Sequence, residues 1–280
     1  MAIPHVLPYQ GSKRLLAPAI LAIARERLPQ IRRLYEPFGG SAALTLAAVH
    51  AHLATQYVLA DTYAPLTHLW TEILHNPHNL ADLYAQHWQN GDFLATRQAF
   101  NAQPSPDRLL YLLTRCVKAA VRFNREGQFN QAADRRRLGT HPQRMQANLL
   151  AASVLLRGLT EVRTGDALQT TADAGVGDVA YLDPPWHGTT VGRDTRYVAG
   201  YGQRQLFELI QSLHDRGVIV LLSYDGERQA KVSTPRGNFV QKLPKTLQLE
   251  RLELPPQRSA QATLLGRAEW TTESLYVTRR

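Results

Sequence analysis

Apolar residues along this chain follow two alternating spacings. Residues 14–28 repeat apolar positions at helical spacing, and the next segment passes from a short apolar run through a glycine turn into a second helical pattern, RRLYEPFGGSAALTLAAVHAH. The same order follows in TQYVLADTYAPLTHLWTEIL, where an acid ends the short run. Strands that alternate with helices in this way predict a parallel sheet with crossover helices.

Between residues 76 and 160 this alternation stops. Four segments there have helical spacing, namely NLADLYAQHWQ, DFLATRQAFNA, PDRLLYLLTRCVKAAVRF and PQRMQANLLAASVLLRG, while the polar, basic stretch 124–141 predicts a loop or short hairpin. The alternation returns at VAYLDPPW and continues through an amphipathic helix ended by Gly217, the β-branched run VIVLLSYDG and two later strands. We therefore predict an α/β fold, a doubly wound, mostly parallel sheet formed by residues 1–75 and 161–280, with a mainly helical insert at 76–160.

Composition narrows the class of protein. The 280 residues are 44% hydrophobic, enough for a sizeable core, and 32 Lys and Arg against 23 Asp and Glu give a formal charge of +9. This excess favours a polyanion such as nucleic acid without requiring one. Cys116 is the only cysteine and no Cys/His cluster has ligand spacing, so neither an internal disulfide nor a metal is expected. Neither a signal-peptide core nor a membrane span is evident, and we expect a soluble cytoplasmic protein.

Two acids and a glycine turn form the first candidate site. In YEPFGGSAAL, Glu36 ends a strand, and the turn after it lets a ligand approach the backbone beside the positive end of a helix. Asp61 lies about 20 residues further on, where nucleotide-binding α/β folds place an acid on a ribose hydroxyl. The alternatives are a purely structural turn and an Asp61 that caps the next helix.

The stretch VAYLDPPWHG forms the second candidate site. Proline cannot donate to a sheet, so the strand must stop at Asp183, which places this carboxylate at the carboxyl edge where open α/β sheets bind ligands. Pro184 and Pro185 stiffen the chain and leave the Pro184 carbonyl free as a second acceptor. Trp186 offers a face on which a flat ring can stack. The set fits a planar heterocycle that carries an amino group, and the alternative is a strand-ending turn with a core tryptophan.

Two basic segments complete the candidate chemistry. PYQGSKR carries Tyr9 and Lys13, which together suit an anionic small molecule, although a solvated chain start has the same composition. RFNREGQFN and DRRRLGTH concentrate side chains that neutralise phosphates or read base edges, and a solvated basic loop is the alternative. The predicted DNA contacts are Arg122, Asn124, Arg125, Phe129, Asn130, Arg135, Arg136 and Arg137.

In this order, the motifs resemble those of the Dam-type DNA adenine-N6 methyltransferases, nearly end to end. The matching segments are YQGSK, EPFGGSAAL, LADTYAPL, RFNREGQFN, TGDAL, DPPW and LLSYDG. Cofactor motifs that precede the recognition insert, with the catalytic motif after it, are typical of the family's alpha group. The resemblance implies a bacterial or phage-encoded enzyme with a Rossmann-like methyltransferase sheet and a target-recognition insert.

The resemblance also assigns roles to individual residues. Tyr9, Lys13, Asp61 and Asp183 would contact S-adenosylmethionine or its surroundings, and Glu36, Phe38, Gly40 and Asp166 would line its pocket. Asp183, Pro184, Pro185 and Trp186 form the catalytic motif that would hold the target base. The implied reaction, without a metal, is methyl transfer to the exocyclic N6 of an adenine flipped out of double-stranded DNA.

Three departures from the family pattern limit what can be carried over. Ala42 stands where a second glycine is common, Trp186 replaces the usual tyrosine, and no Pro-x-Gly follows FNQAAD, so no recognition sequence is transferred. Cytosine-N4 transfer uses the same geometry, and RNA is an alternative substrate. A non-catalytic DNA-binding subunit with the same fold is a further alternative, and the sequence favours neither a monomer nor a dimer.

Overall fold

The molecule is described by a computed structural model over residues 2–9, 11–117, 122–124, 126–136, 138–185, 202–224, 227–228, 243–258 and 270–279. Its first half contains α1 (Ala17–Arg27), β1 (Ile31–Glu36), α2 (Ala43–His50), β2 (Ala54–Asp61), α3 (Ala64–His75), α4 (Pro77–Asn90), α5 (Phe93–Ala102) and α6 (Pro106–Arg115). Its second half contains α7 (Pro142–Leu156), β3 (Thr160–Thr164), α8 (Ala167–Thr170), β4 (Asp178–Leu182), α9 (Gln203–Asp215), β5 (Ile219–Ser223), β6 (Glu227–Arg228), β7 (Leu249–Glu253), β8 (Gln257–Arg258), β9 (Trp270–Thr272) and β10 (Ser274–Thr278).

The main sheet has seven strands in the order β3-β2-β1-β4-β5-β10-β7. The first five are parallel, and β10 runs antiparallel to both β5 and β7. A smaller antiparallel sheet has the order β6-β9-β8. The predicted α/β class with a mostly parallel sheet is therefore confirmed. No helix in the described part of the chain is long and apolar enough to cross a membrane.

Two hydrophobic cores cover the two faces of the main sheet. Neighbouring residues of a strand point to opposite faces, so Leu34 and Val179 join the core built with α1 to α7, whereas Tyr35 and Ala180 join the core built with α9. Strands buried on both faces read as continuous apolar runs, which is why β4 and β5 stand out in the sequence. Helices α4 to α7 lie between β2 and β3 in the chain, and α7 packs on α2, α3 and α4. The division into two domains at 76 and 160 stays a prediction.

Two elements differ from the sequence-based expectations. Strand β3 has no apolar run, because at the edge of the sheet Val162 is the one apolar side chain among Thr, Glu and Arg. The helix predicted over PDRLLYLLTRCVKAAVRF ends at Arg115, since Cys116 pairs with Ala133 in an antiparallel bridge. Phe123 and Phe129 form a second antiparallel bridge, so where a loop or short hairpin is predicted near 124–141, the described residues show a short hairpin that begins at Phe123.

Candidate active site at the carboxyl edge of the sheet

Three acids meet at one edge of the sheet. Glu36 is the last residue of β1, Asp61 is the last residue of β2, and Asp183 follows β4 directly. The strands β2, β1 and β4 are neighbours and parallel, so their carboxyl ends lie at the same edge. The structure thus brings together two motifs that are more than a hundred residues apart in the sequence.

Asp183 is held by a lysine from the start of the chain. The Lys13 Nζ atom donates to Asp183 Oδ1 at 2.9 Å, and the two side chains are 9% and 19% exposed. Burial raises the pKa of Asp183 above its ordinary value, and the Lys13 charge and hydrogen bond partly offset this rise. Among the described residues, Lys13 is the one hydrogen-bond partner of the Asp183 side chain. The carboxylate is therefore anchored through Oδ1.

Lys13 also faces a second acid, to which no sequence motif points. Glu273 lies between β9 and β10, and its Oε2 atom is 3.6 Å from Lys13 Nζ. The signal in the sequence is weak: a single acid immediately before the apolar run of β10. Because 260 residues separate Glu273 from Lys13 in the chain, their contact becomes visible only when β10 pairs with β5 beside the catalytic motif.

The predicted glycine turn is tightly enclosed. A Cβ atom on Gly39 would lie 2.6 Å from Leu59 Cδ1 and 2.9 Å from the Ala60 carbonyl oxygen. Gly40 has φ +46°, and a Cβ there would lie 3.3 Å from the Tyr9 ring. The turn thus places bare backbone under the ring of Tyr9, the predicted cofactor contact.

Asp61 fixes this turn to the following helix. Its Oδ2 accepts a hydrogen bond from Gly40 N at 3.2 Å, and its Oδ1 accepts one from Tyr63 N at 3.0 Å. Burial raises the pKa of Asp61, and these backbone donors counter the rise. The residue that caps α3 is Tyr63, so Asp61 is not the N-cap itself. Each carboxylate oxygen keeps lone-pair capacity for another donor.

Ala42 shows what the missing second glycine does to the turn. It adopts φ 50° and ψ 30°, in the left-handed region that favours glycine, and it directly precedes α2. Its amide donates to the Gly39 carbonyl at 2.7 Å, and its side chain is fully buried. The backbone therefore keeps the conformation that a glycine would adopt, at some cost in strain.

Glu36 is a buried acid that titrates near neutral pH. Its Oε2 accepts hydrogen bonds from Thr45 N at 2.9 Å and from Thr45 Oγ1 at 2.5 Å. Burial raises the pKa of Glu36 to about 7, although both Thr45 bonds lower it. Glu36 therefore exchanges between its neutral and ionised forms within the physiological pH range.

Replacing Glu36 by glutamine should change how stability depends on pH. Because the pKa of Glu36 in the folded protein lies above its ordinary value of 4.5, the stability that depends on Glu36 is full below pH 4.5 and is lost as pH rises through about 7. We expect the Glu36→Gln variant to exceed the wild type by up to about 3 kcal/mol at pH 8, measured by urea unfolding, and to show a smaller gain at pH 4.5. The exposed Glu253 provides the control, since Glu253→Gln should follow the wild-type pH profile. A constant difference at all pH values would contradict the assignment.

Asp166 and Phe38 complete the predicted cofactor pocket. Asp166 caps α8 by accepting a hydrogen bond from Leu168 N at 2.8 Å, and the amide of the preceding Gly165 donates to the Asp61 carbonyl at 3.1 Å. Asp166 therefore lies next to the end of β2. Phe38 is half-buried and packs against the core that contains α9.

The structure describes the predicted catalytic motif up to Pro185. Pro184 is buried and Pro185 is half-buried, directly after the end of β4 at Leu182. The strand stops where the prolines require it to stop. Trp186 lies outside the described residues, so its predicted stacking role stays a prediction. In the described part of the chain, no group of three or more His, Cys, Asp or Glu side chains could hold a metal ion.

In the insert, Asn124 shapes the tip of the hairpin. Its Oδ1 accepts hydrogen bonds from Glu126 N at 3.1 Å and Gln128 N at 2.8 Å, and its Nδ2 donates to Gln128 Oε1 at 2.9 Å. Gly127, with φ +74°, lies at the turn. Both ends of the Asn124 amide are thus engaged within the turn, whose residues 126–128 are exposed.

Phe129 anchors this hairpin in the core. It is 1% exposed, and its backbone N and O are both bonded to the side chain of Asn101, at 2.9 and 3.0 Å. Its ring packs edge-on against Phe100, with centroids 6.2 Å apart. The Phe129 side chain thus has a packing role in this structure, and its predicted contact with DNA stays a prediction.

The remaining predicted DNA contacts differ in exposure. Asn130 and Arg135 are exposed, and Arg136 is 86% exposed, with its Nε atom 3.8 Å from Asp134 Oδ1. Arg122 is half-buried. Arg125 and Arg137 lie outside the described residues. Among the described residues of this region, Arg135 and Arg136 are the exposed arginines.

Comparison with known proteins agrees with the arrangement of the motifs. Residues 9–254 match the family model of the D12 class N6 adenine-specific DNA methyltransferases. A "DNA N-6-adenine-methyltransferase" of Escherichia phage P1 is 30% identical over 215 residues, which cover 71% of this chain and only 27% of that longer protein. The "Retron Ec67 DNA adenine methylase" of Escherichia coli is 25% identical over 228 residues, which cover 78% of this chain and 76% of that protein. The family match spans most of the chain, and the chain therefore belongs to the D12 class of N6 adenine-specific DNA methyltransferases.

Proposed function

We propose that this chain transfers a methyl group from S-adenosylmethionine to the exocyclic N6 of an adenine flipped out of double-stranded DNA. The observation that carries the proposal is the half-buried Asp183 carboxylate, which is anchored by Lys13 through Oδ1 beside the glycine turn. An acceptor fixed in this way at the carboxyl edge of the sheet suits an amino group that must be oriented. Family membership favours adenine over cytosine as the base.

The residues around the glycine turn fit S-adenosylmethionine. A Cβ atom on Gly39 would press on β2 and one on Gly40 would press on the Tyr9 ring, so the turn keeps bare backbone at both positions, which a ligand beside it could approach closely. Asp61 is held rigidly and would accept a ribose hydroxyl with its free lone pairs, and Asp166 beside it would face the cofactor adenine. When bound, the cofactor supplies an electrophilic methyl group on a sulfonium sulfur.

Asp183 would activate the target amino group. The adenine amino nitrogen is a poor nucleophile because its lone pair is conjugated with the ring. Asp183 Oδ2 and the Pro184 carbonyl would accept its two hydrogens and draw the nitrogen toward tetrahedral geometry, by positioning and electrostatics alone. Asp183 would then take the proton that the nitrogen loses as it bonds to the methyl carbon and the carbon–sulfur bond breaks. The raised pKa of Asp183, caused by burial, favours this proton uptake.

The target base must leave the duplex before this chemistry is possible. Flipping costs a few kcal/mol, which stacking on Trp186 would partly offset. We assign the phosphate contacts to the insert at 76–160 as the target-recognition part of the molecule, with residues 1–75 and 161–280 as the catalytic part. The exposed arginines of the hairpin region support this assignment.

Removing the hairpin arginines should weaken DNA binding in a salt-dependent way. Each phosphate contact contributes about 0.9 to the slope of log affinity against log salt, so Arg135→Ala and Arg136→Ala should each lower the slope by about 1. Fluorescence anisotropy of a labelled duplex from 50 to 200 mM salt would measure it. Arg25→Ala removes an exposed arginine at the far end of α1 and should leave the slope unchanged. Equal slopes in all the variants would place the DNA elsewhere.

The proposed function is tested by following a labelled methyl group. We expect transfer from labelled S-adenosylmethionine into duplex DNA and none into RNA of the same sequence, with calorimetry showing that the cofactor binds the free protein. Binding of DNA without any binding of the cofactor would instead support a non-catalytic subunit. Label in the RNA alone would contradict the assigned substrate.

A further inference from the structure

Glu273 lies in the active site without a complete set of partners. Its Oε2 atom is buried and makes no hydrogen bond within the described residues, although Lys13 Nζ lies 3.6 Å away. A buried carboxylate oxygen without a hydrogen bond is unfavourable, and natural proteins contain few such atoms outside functional sites. The position of Glu273 therefore calls for a functional reason.

The Lys13 ammonium lies between several oxygens. Asp183 Oδ1 is 2.9 Å from Nζ, the Gly11 carbonyl oxygen is 3.4 Å away, and Glu273 Oε2 is 3.6 Å away. An ammonium has three hydrogens to donate, and a single positive charge faces two carboxylates here. The Lys13 charge is thus shared unequally between Asp183 and Glu273.

We infer that Glu273 is a positioning residue of the catalytic pocket, which holds the second side of the Lys13 ammonium so that Lys13 bonds Asp183 through Oδ1 alone and leaves Oδ2 to the target amino group. This inference rests on the proposed methyl transfer. Glu273 itself would contact neither DNA nor the cofactor. Glu273 acts only through Lys13, and it keeps Lys13 from neutralising Asp183 completely.

Titratable groups from four parts of the fold lie around the Lys13–Asp183 pair. Lys13 comes from the segment before α1, Glu36 from β1, Tyr181 from β4, and Glu273 from the turn between β9 and β10. The pKa of the Tyr181 hydroxyl is raised well above its ordinary value by burial and by the charges of Asp183, Glu36 and Glu273. Tyr181 thus lies close enough to all three acids for their charges to act on its hydroxyl.

Removing the Glu273 charge should lower the pKa of Asp183. Without Glu273, Asp183 would be the one carboxylate that the described residues place within 4 Å of the Lys13 ammonium. The undivided Lys13 charge would favour the ionised form of Asp183 and lower its pKa. Asp183 would then hold the amino hydrogens less strongly and accept the proton less readily.

The test is the pH dependence of methyl transfer to duplex DNA by the full chain. Compared with the wild type, Glu273→Gln should move the acid limb of kcat lower by about 0.5 to 1 pH unit and reduce the plateau kcat by about twofold to tenfold. The KM values for S-adenosylmethionine and DNA should stay within about twofold, because Glu273 touches neither. Glu273→Asp keeps the charge and should retain most of the wild-type profile.

Glu253→Gln is the matched control. Glu253 is exposed and lies opposite Ser274, the residue after Glu273, on the neighbouring strand, so the same chemical change there should leave the pH profile unchanged. An acid limb of Glu273→Gln that coincides with that of the wild type would overturn the inference. An equal loss of kcat in Glu273→Gln and Glu273→Asp would also overturn it, because an equal loss indicates that Glu273 serves packing and not charge. If the wild type is active and the pH profile of Glu273→Gln matches it, the role of Glu273 is wrong but the proposed function stands. If the wild type transfers no methyl group, both the proposed function and the role of Glu273 are wrong.

Discussion

Replacing Asp183 by alanine should abolish methyl transfer, with kcat lower by about a thousandfold or more. The side chain is the anchored acceptor at the carboxyl edge, and Lys13 at 2.9 Å would lose its nearest carboxylate. Asp183→Asn keeps a carbonyl acceptor but cannot take up a proton, so its activity should lie between that of the wild type and that of Asp183→Ala. Single-turnover methylation of a duplex, with protein in excess, measures the rate of the methyl-transfer step.

The Asp183→Ala variant should still bind duplex DNA, because the arginines assigned to the phosphates lie in the insert. The matched control is Asp215→Ala, which removes an exposed acid at the end of α9 that accepts a hydrogen bond from Gln211. We expect wild-type rates from this control. Full activity in the Asp183→Ala variant would remove the chemical basis of the proposed function.

The second large effect is expected at Gly39. An alanine there would bring its Cβ to 2.6 Å from Leu59 Cδ1 and 2.9 Å from the Ala60 carbonyl oxygen, and the second of these atoms belongs to the backbone of β2. The Gly39 amide also donates to that carbonyl at 2.7 Å, so the turn cannot simply move away. We expect Gly39→Ala to lower the free energy of unfolding by about 2–3 kcal/mol and to weaken S-adenosylmethionine binding, measured by urea unfolding and calorimetry.

Gly175 offers a control with the same chemical change. Its φ, like that of Gly39, lies outside the left-handed region, and a Cβ there would meet only the Arg216 carbonyl oxygen at an ordinary 3.9 Å. Gly175→Ala should therefore be neutral, or stabilise by up to about 1 kcal/mol through the unfolded chain. If both variants lost the same stability, the tight enclosure of the glycine turn would not be the cause.

Much of the site can be read from the sequence because its acids follow strands. Glu36, Asp61 and Asp183 each end an apolar run, and the rule that parallel strands share a carboxyl edge is enough to bring them together. Strand β3 could not be predicted in this way, because a single apolar residue gives no pattern of apolar spacing. The end of α6 is hidden as well, because a tertiary bridge from Cys116 to Ala133 overrides a helical run.

The contacts that set the electrostatics of the site are beyond local patterns. Lys13 reads as a cofactor contact, yet it bonds Asp183, which is 170 residues away in the chain. Glu273 belongs to no motif and reaches the site only because β10 enters the sheet antiparallel, beside β5. Phe129 reads as part of a DNA-binding signature, while its burial gives it a packing role. In each case the missing information is which distant elements pair.

The most direct test of the central claim is nucleoside mass spectrometry of a duplex treated with the protein and S-adenosylmethionine. We expect N6-methyladenine with the wild type and none with Asp183→Ala. N4-methylcytosine as the product, or equal N6-methyladenine from both proteins, would contradict it.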